Sequence, residues 1–153
     1  GLDGYTKIDS FTLEANNAKA KEMFDTVNSG ISICNLNLIG YTRKTPIVYY
    51  QSYFNEKTGM LMYECARKME NEGKAFSSYD LYEKIGIEID KISQNIMAVN
   101  ADKKLSKILN VPLGYALLLL ESKLYSNDST PLEYKLGYYR SDKYAFTIKR
   151  EIL

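Results

Sequence analysis

The chain has 153 residues, 20 Lys and Arg against 19 Asp and Glu, a net charge of +1, 45% hydrophobic and 25% charged residues. That balance suits a single folded domain rather than a disordered chain, and it lacks the basic excess that binding a phosphate backbone demands. There is no histidine, which removes Ser-His-Asp and Cys-His triads and the H-E-x-x-H zinc site; the longest uncharged apolar run, Val111 to Leu120, is too short to cross a bilayer.

The Gly-Leu-Asp-Gly start, without Met, reads as a trimmed beginning, and further residues are expected before it. Tyr5 to Leu13 carries β-branched and aromatic residues and predicts a strand. Asn16 or Asn17 can cap a following helix up to about Val27. Ala20, Met23, Phe24 and Val27 are spaced for one face of it, and Gly30 ends it. Ile31 to Tyr41 predicts a second strand, with Gly40 marking a bulge, a close backbone approach or a weak edge strand. Lys44-Thr45 turns the chain, and Pro46 opens a strand to Phe54. Two helices follow: one containing Met60, Leu61, Met62, Cys65 and Met69, with Thr58 as its expected cap, and a short one capped by Ser77 or Ser78 and ended by Gly86. Glu88 to Val99 is a strand, and Asn100 is the expected cap of a helix with Leu105, Ile108 and Leu109 on its apolar face. Tyr115 to Tyr125, Pro131 to Tyr139 and Tyr144 to Ile152 complete the strands. The run Ala116 to Leu120 predicts burial on both faces.

These elements repeat. Lys7-Ile8-Asp9-Ser10 aligns with Lys91-Ile92-Ser93-Gln94, and at the same offset Asn16 meets Asn100, Phe24 meets Ile108, Val27 meets Val111 and Gly30 meets Gly114. After one inserted residue Pro46 meets Pro131, Tyr49 meets Tyr134 and Tyr53 meets Tyr138. Each half reads strand, helix, strand, turn, strand. Tight turns imply antiparallel pairing, so the fold class is α+β: an antiparallel sheet with helices packed around it. Neither G-x-G-x-x-G nor a P-loop occurs. Cys34 and Cys65 fall in different elements, so no structural zinc site, other metal or cofactor is expected, and free thiols fit a cytoplasmic location.

The most specific stretch is Pro131-Leu132-Glu133-Tyr134 followed by Tyr138-Tyr139-Arg140-Ser141-Asp142-Lys143-Tyr144-Ala145-Phe146. It resembles the closing signature of the UTRA domain, the effector-binding domain of HutC-type GntR transcription regulators, with Ser141 in place of a Gly and Lys143 in place of an Arg. Ser77-Ser78-Tyr79-Asp80-Leu81 resembles the family's Ser-x-Tyr segment, and Asn100 through Gly114 resembles the segment before its last hairpin. The resemblance implies a chorismate lyase-like fold, a homodimer, an N-terminal winged-helix domain that this chain lacks and through which operator DNA is bound, and a small-molecule effector. Two alternatives remain open: a chorismate lyase-like enzyme, and a dimerisation module with a vestigial pocket. The lack of histidine and of any carboxylate pair with motif-level support weighs against the enzyme.

Glu133 is the first candidate ligand contact, because strand alternation sets it opposite the Leu132, Tyr134 and Leu136 face and a carboxylate accepts hydrogen bonds from ligand hydroxyls or amines. Ser77 and Tyr79 follow, at a helix start where free N–H groups and a hydroxyl gather; simple capping by Ser77 or Ser78 is the competing reading. Tyr139 matches the family's effector tyrosine. Arg140 joins the set, although adjacent strand residues face opposite ways and an ion pair with Asp142 is its alternative role. Tyr50 stands where the family has an acidic residue. Members that bind phosphorylated sugars carry arginines where this chain has Leu38 and Gly40. The resemblance therefore implies an effector less charged than a phosphosugar and more apolar or aromatic, because a buried dianion needs paired cations.

Overall fold

The computed structural model describes residues 4–153; the Gly1 to Asp3 part of the start lies outside the described residues. The elements run β1 (Gly4–Thr12), α1 (Ala18–Phe24), α2 (Thr26–Ser29), β2 (Ile33–Thr42), β3 (Thr45–Asn55), α3 (Glu56–Asn71), α4 (Ser78–Ile85), β4 (Lys91–Asn100), α5 (Lys103–Leu109), β5 (Ala116–Tyr125) and β6 (Pro131–Arg140). The six strands form one antiparallel sheet in the order β1-β2-β3-β6-β5-β4. Two three-stranded meanders therefore join at β3 and β6, with α1 and α2 between the first two strands of one and α5 between those of the other.

The register proves the duplication. Tyr49 pairs with Tyr138 and Tyr53 with Tyr134, so each tyrosine lies opposite the repeat counterpart of the other. A pseudo-twofold axis passes between the paired Gln51 and Leu136. Each hairpin also carries a bulge at the same place. Tyr41 pairs with Pro46 and Gly40 with Val48, leaving Ile47 extra; Tyr125 pairs with Pro131 and Leu124 with Glu133, leaving Leu132 extra. Proline, which cannot donate to a ladder, precedes the extra residue in both. Gly40 thus adjoins a bulge. It is not on an edge strand, because β2 is paired on both sides.

Alternation sends Cys34, Leu36, Leu38 and Phe54 to one sheet face, where Met62, Ala66 and Met69 of α3 and Leu81 and Tyr82 of α4 cover them. On the other face Ala20 and Phe24 of α1 pack with Ile33, Tyr53 and Tyr134, and Leu105 and Leu109 of α5 pack with Tyr49 and Leu117. Burying each such aliphatic side chain stabilises by about 1.5–3 kcal/mol.

Several local expectations are corrected. Asn17 caps α1, its Oδ1 accepting from the Ala20 N–H at 2.9 Å. That helix stops at Asp25, which takes a left-handed conformation (φ 50°), so Val27 lies in a separate turn and is 93% exposed rather than on the apolar face. Asn55, not Thr58, caps α3, and Asp102, not Asn100, caps α5; in both, the first acceptor ahead of the helix captures the free N–H three residues on. In β5, Leu117 and Leu119 are buried while Leu118 and Leu120 are half-buried, because on that face α3 and α4 cover the first meander and the start of β6 but leave this part of β5 open. Residues 144–153 form no strand. Strand β6 already has β3 and β5 as neighbours, so a segment leaving it by a tight turn finds no free edge.

Candidate functional site

The site is built where α4 crosses β6. The segment leading into α4 is clasped to β1: Thr6 Oγ1 donates to the Phe76 carbonyl at 3.0 Å and accepts from the Phe76 N–H at 2.9 Å, and the Thr6 N–H donates to the Lys74 carbonyl. Ser77 is the N-cap, and its N–H donates to Asp80 Oδ2 at 2.8 Å. This pins the first turn of α4 over the centre of the sheet.

Glu133 is 0% exposed and points toward α4. The bulge changes the expected alternation: Leu132 packs with the α3 and α4 core on the same face as Glu133, not opposite it. Tyr82 OH donates to Glu133 Oε1 at 3.0 Å, whereas Oε2 is buried without a partner. Two residues along, Lys135 is 5% exposed and its Nζ donates to Ser78 Oγ at 2.9 Å. The same ammonium lies 4.6 Å from the ring centroid of Tyr50 and 4.7 Å from that of Tyr79. Tyr139 meets Tyr50 edge-on at 6.0 Å, and Tyr144 and Phe146 pack edge-on against Tyr139 at 4.7 and 5.2 Å. A crevice of about 240 Å³ opens beside this cluster, walled by Gly40, Tyr50, Ser77, Asp80 and Tyr144. Glu133 and Lys135 do not line it; the Tyr50 ring stands between it and Lys135.

Burial lowers the pKa of Lys135, opposed by the charges of Glu133 and Asp80. Burial also raises the phenols of Tyr50, Tyr79 and Tyr82, and the Glu133 carboxyl raises Tyr79 and Tyr82 further. The tyrosines are therefore neutral hydrogen-bonding groups at physiological pH.

The duplication shows which features belong to the framework. On the α1 and α5 face the counterparts Tyr49 and Tyr134 are identical. On the α4 face they diverge: Val48 corresponds to Glu133, and Tyr50 to Lys135. Charge was placed in one half only, at the two positions that α4 covers. The structure thus brings together Glu133, Ser77, Tyr79, Tyr139 and Tyr50 around α4. It places Arg140 elsewhere: its guanidinium pairs with Asp142 at 2.9 Å and donates to the Leu109 carbonyl of α5. Ser78, Tyr82 and Lys135 are additions to the set. The alternation that singled out Glu133 also carried Lys135, which was the available signal. At Gly40 an added Cβ would lie 2.6 Å from Val48 Cγ1, and Leu38 is buried, so neither position admits a long cationic side chain without rearrangement.

The fold is shared with solved transcription regulators. The effector domain of PhnF from Mycobacterium smegmatis superposes with a TM-score of 0.78 at 16% identity, covering 97% of this chain and 88% of that one. A GntR-family transcriptional regulator from Bacillus cereus gives 0.75 at 15% identity, covering 97% and 99%. YydK from Bacillus subtilis gives 0.77 at 15% identity; 97% of this chain is covered but only 63% of YydK, so the chain spans less than two thirds of that protein's length. No curated protein sequence matches the chain. The UTRA domain family matches residues 1–145, nearly the whole length, and the chain belongs to the UTRA domain family.

Proposed function

We propose that this chain is the effector-sensing part of a GntR-type transcription regulator. A small molecule enters beside α4, and the closed cluster rearranges around it. That change alters how a winged-helix domain elsewhere in the protein engages operator DNA. The mechanism is a population shift, in which the ligand stabilises whichever arrangement it binds better. The regulator works as a cytoplasmic homodimer, and among the described residues no helix is long and apolar enough to cross a membrane.

One observation carries this reading: a fully buried Glu133 keeps an oxygen with no partner, under a helix whose lead-in segment is clasped to β1 by the Thr6 hydroxyl, with a crevice alongside. An unsatisfied buried carboxyl oxygen costs about 1–3 kcal/mol or more, and a ligand donor would offset that loss. Leu38 and Gly40 in place of cations favour an effector with less charge than a phosphosugar. The test is a thermal-shift screen of the purified chain against metabolite classes, with native mass spectrometry for a retained molecule. A ligand should raise the melting temperature by mass action, and Glu133→Gln should weaken that rise. A screen in which phosphosugars alone stabilise the chain would refute the effector class. The absence of any stabilising or retained small molecule would refute sensing.

A further inference from the structure

Lys135 has no established role in the site described above, and its surroundings identify a ligand chemistry. An ammonium carries three N–H donors. Lys135 gives one to Ser78 Oγ, and beyond that the ammonium meets only the rings of Tyr50 and Tyr79 among the contacts of the described residues. Among the described residues no carboxylate oxygen lies within 4.0 Å of Nζ. Cation–π contacts offset only part of the loss of hydration for a buried ammonium. Glu133, on the same strand face, has the complementary deficiency in its unpartnered Oε2. A purely structural pair would neutralise itself. Here each member is tied instead to a different α4 side chain, Ser78 and Tyr82, and keeps bonding capacity in reserve.

We infer that Lys135 and Glu133 together recognise a small monocarboxylate bearing a hydroxyl or amino group, its carboxylate on the Lys135 ammonium and its donor on Glu133 Oε2. The inference rests on the sensing role proposed above and narrows it to a ligand class. Glu133 already supplies one negative charge beside Lys135, so a monocarboxylate adds one more, which a ligand ammonium on Glu133 can offset, whereas a phosphate dianion adds two with no further cation to meet them in a low-dielectric site. Gly40 and Leu38 provide no second cation. Tyr50, Tyr139 and Tyr144 form an aromatic wall for the apolar body of the ligand. Entry is through Tyr79, which is 38% exposed and covers the Lys135 ammonium with its ring.

Calorimetric titration of the purified chain decides the matter, with three probe classes: monocarboxylates with a donor (gluconate, phenyllactate, phenylalanine), their uncharged counterparts (glucose, phenyllactamide), and glucose 6-phosphate. A monocarboxylate is expected to bind at least about tenfold more tightly than its uncharged counterpart and than the phosphate ester. Lys135→Met should weaken that binding about 30-fold, the loss expected for one charge-assisted hydrogen bond. Ser78→Ala, which keeps the ammonium but unties it, should weaken it less, and melting curves establish that both variants fold. Tightest binding by an uncharged probe or by the phosphate ester overturns the inference and leaves sensing intact. So does unchanged affinity in a folded Lys135→Met. The wild-type ranking is decisive even if Lys135→Met does not fold. Absence of binding in all three classes overturns the carboxylate assignment, and combined with no retained molecule by native mass spectrometry it overturns sensing as well.

Discussion

Two buried carboxyls show how differently the same group behaves in one sheet. Glu121 accepts from Tyr134 OH and Lys19 Nζ at Oε2 and from Asn95 Nδ2 at Oε1. The Tyr134 hydrogen bond is the main reason its pKa falls to about 2, with Asn95 and Lys19 assisting against burial. A depressed carboxyl stabilises the fold above its unfolded value, near 4.5, and that contribution disappears as pH falls toward 2. Tyr134→Phe should therefore cost on the order of 2 kcal/mol near neutrality and far less at about pH 2. Urea unfolding at the two pH values checks this, and an equal loss at both would show that the hydroxyl does not act through Glu121. Glu133, by contrast, is half-satisfied. Replacing it and its donor together, Glu133→Met with Tyr82→Phe, removes a buried polar pair that has an orphaned oxygen. With Lys135→Met added, so that no buried ammonium is left without the Glu133 charge, the variant should gain about 1–3 kcal/mol in denaturant unfolding while losing ligand response. A net loss of stability would mean that the pair serves the fold rather than a ligand.

At the scale of elements, α3 meets β2 at Gly59 with no room for a side chain. A Cβ added at Gly59 would lie 1.9 Å from Cys34 Sγ and 3.3 Å from Phe54 Cβ. Cys34 is fully buried, with its thiol pKa pushed up to about 12 by burial, so the sulfur is an inert packing surface. Gly59→Ala should destabilise by about 2–3 kcal/mol through overpacking, despite Ala's better helix propensity. Adding Cys34→Ala removes the clashing sulfur, so the double variant should recover most of that loss; strictly additive melting or denaturation energies would exclude the contact as the cause. Much of the architecture was legible from local chemistry. The duplicated meander showed in Pro46 and Pro131 and in the tyrosines at matching positions, because ladder geometry constrains both residue types. What escaped reading depended on pairing partners. The bulge that turns Leu132 to the Glu133 side appears only when β5 and β6 are aligned. A strand lysine ordinarily reads as solvent-facing, so the alternation that set Lys135 beside Glu133 did not by itself place it under α4. The alternation of Tyr144 to Ile152 was strand-like, but β6, the strand it leaves, has no free edge to offer it.

Across the whole molecule, the two halves are equivalent in strands and unequal in cover. On the face where α3 and α4 bury the first meander, the second exposes Ile92 and Ile96, at 42% and 49%, beside half-buried Leu118 and Leu120. Strand β4 is exposed along nearly its whole length, and its outer edge is unpaired. The segment after β6 adds exposed Ile148 and Ile152. An uncovered apolar sheet face with a free edge invites association. Under the homodimer proposed above, the occupant would be a second copy of the chain, because two such faces related by a twofold axis are complementary to each other. Ile92→Lys with Ile96→Lys should abolish the dimer, since opposed lysines repel, while leaving the protomer's own packing unchanged because both side chains are already exposed. Light scattering coupled to size exclusion should give twice the protomer mass for the wild type at micromolar concentration and the protomer mass for the variant, with circular dichroism unaltered. A wild type that stays monomeric at about 100 μM, or a doubly charged variant that still pairs, would place the dimer contact elsewhere or remove it. In either case β4 would be an edge that the fold leaves unguarded.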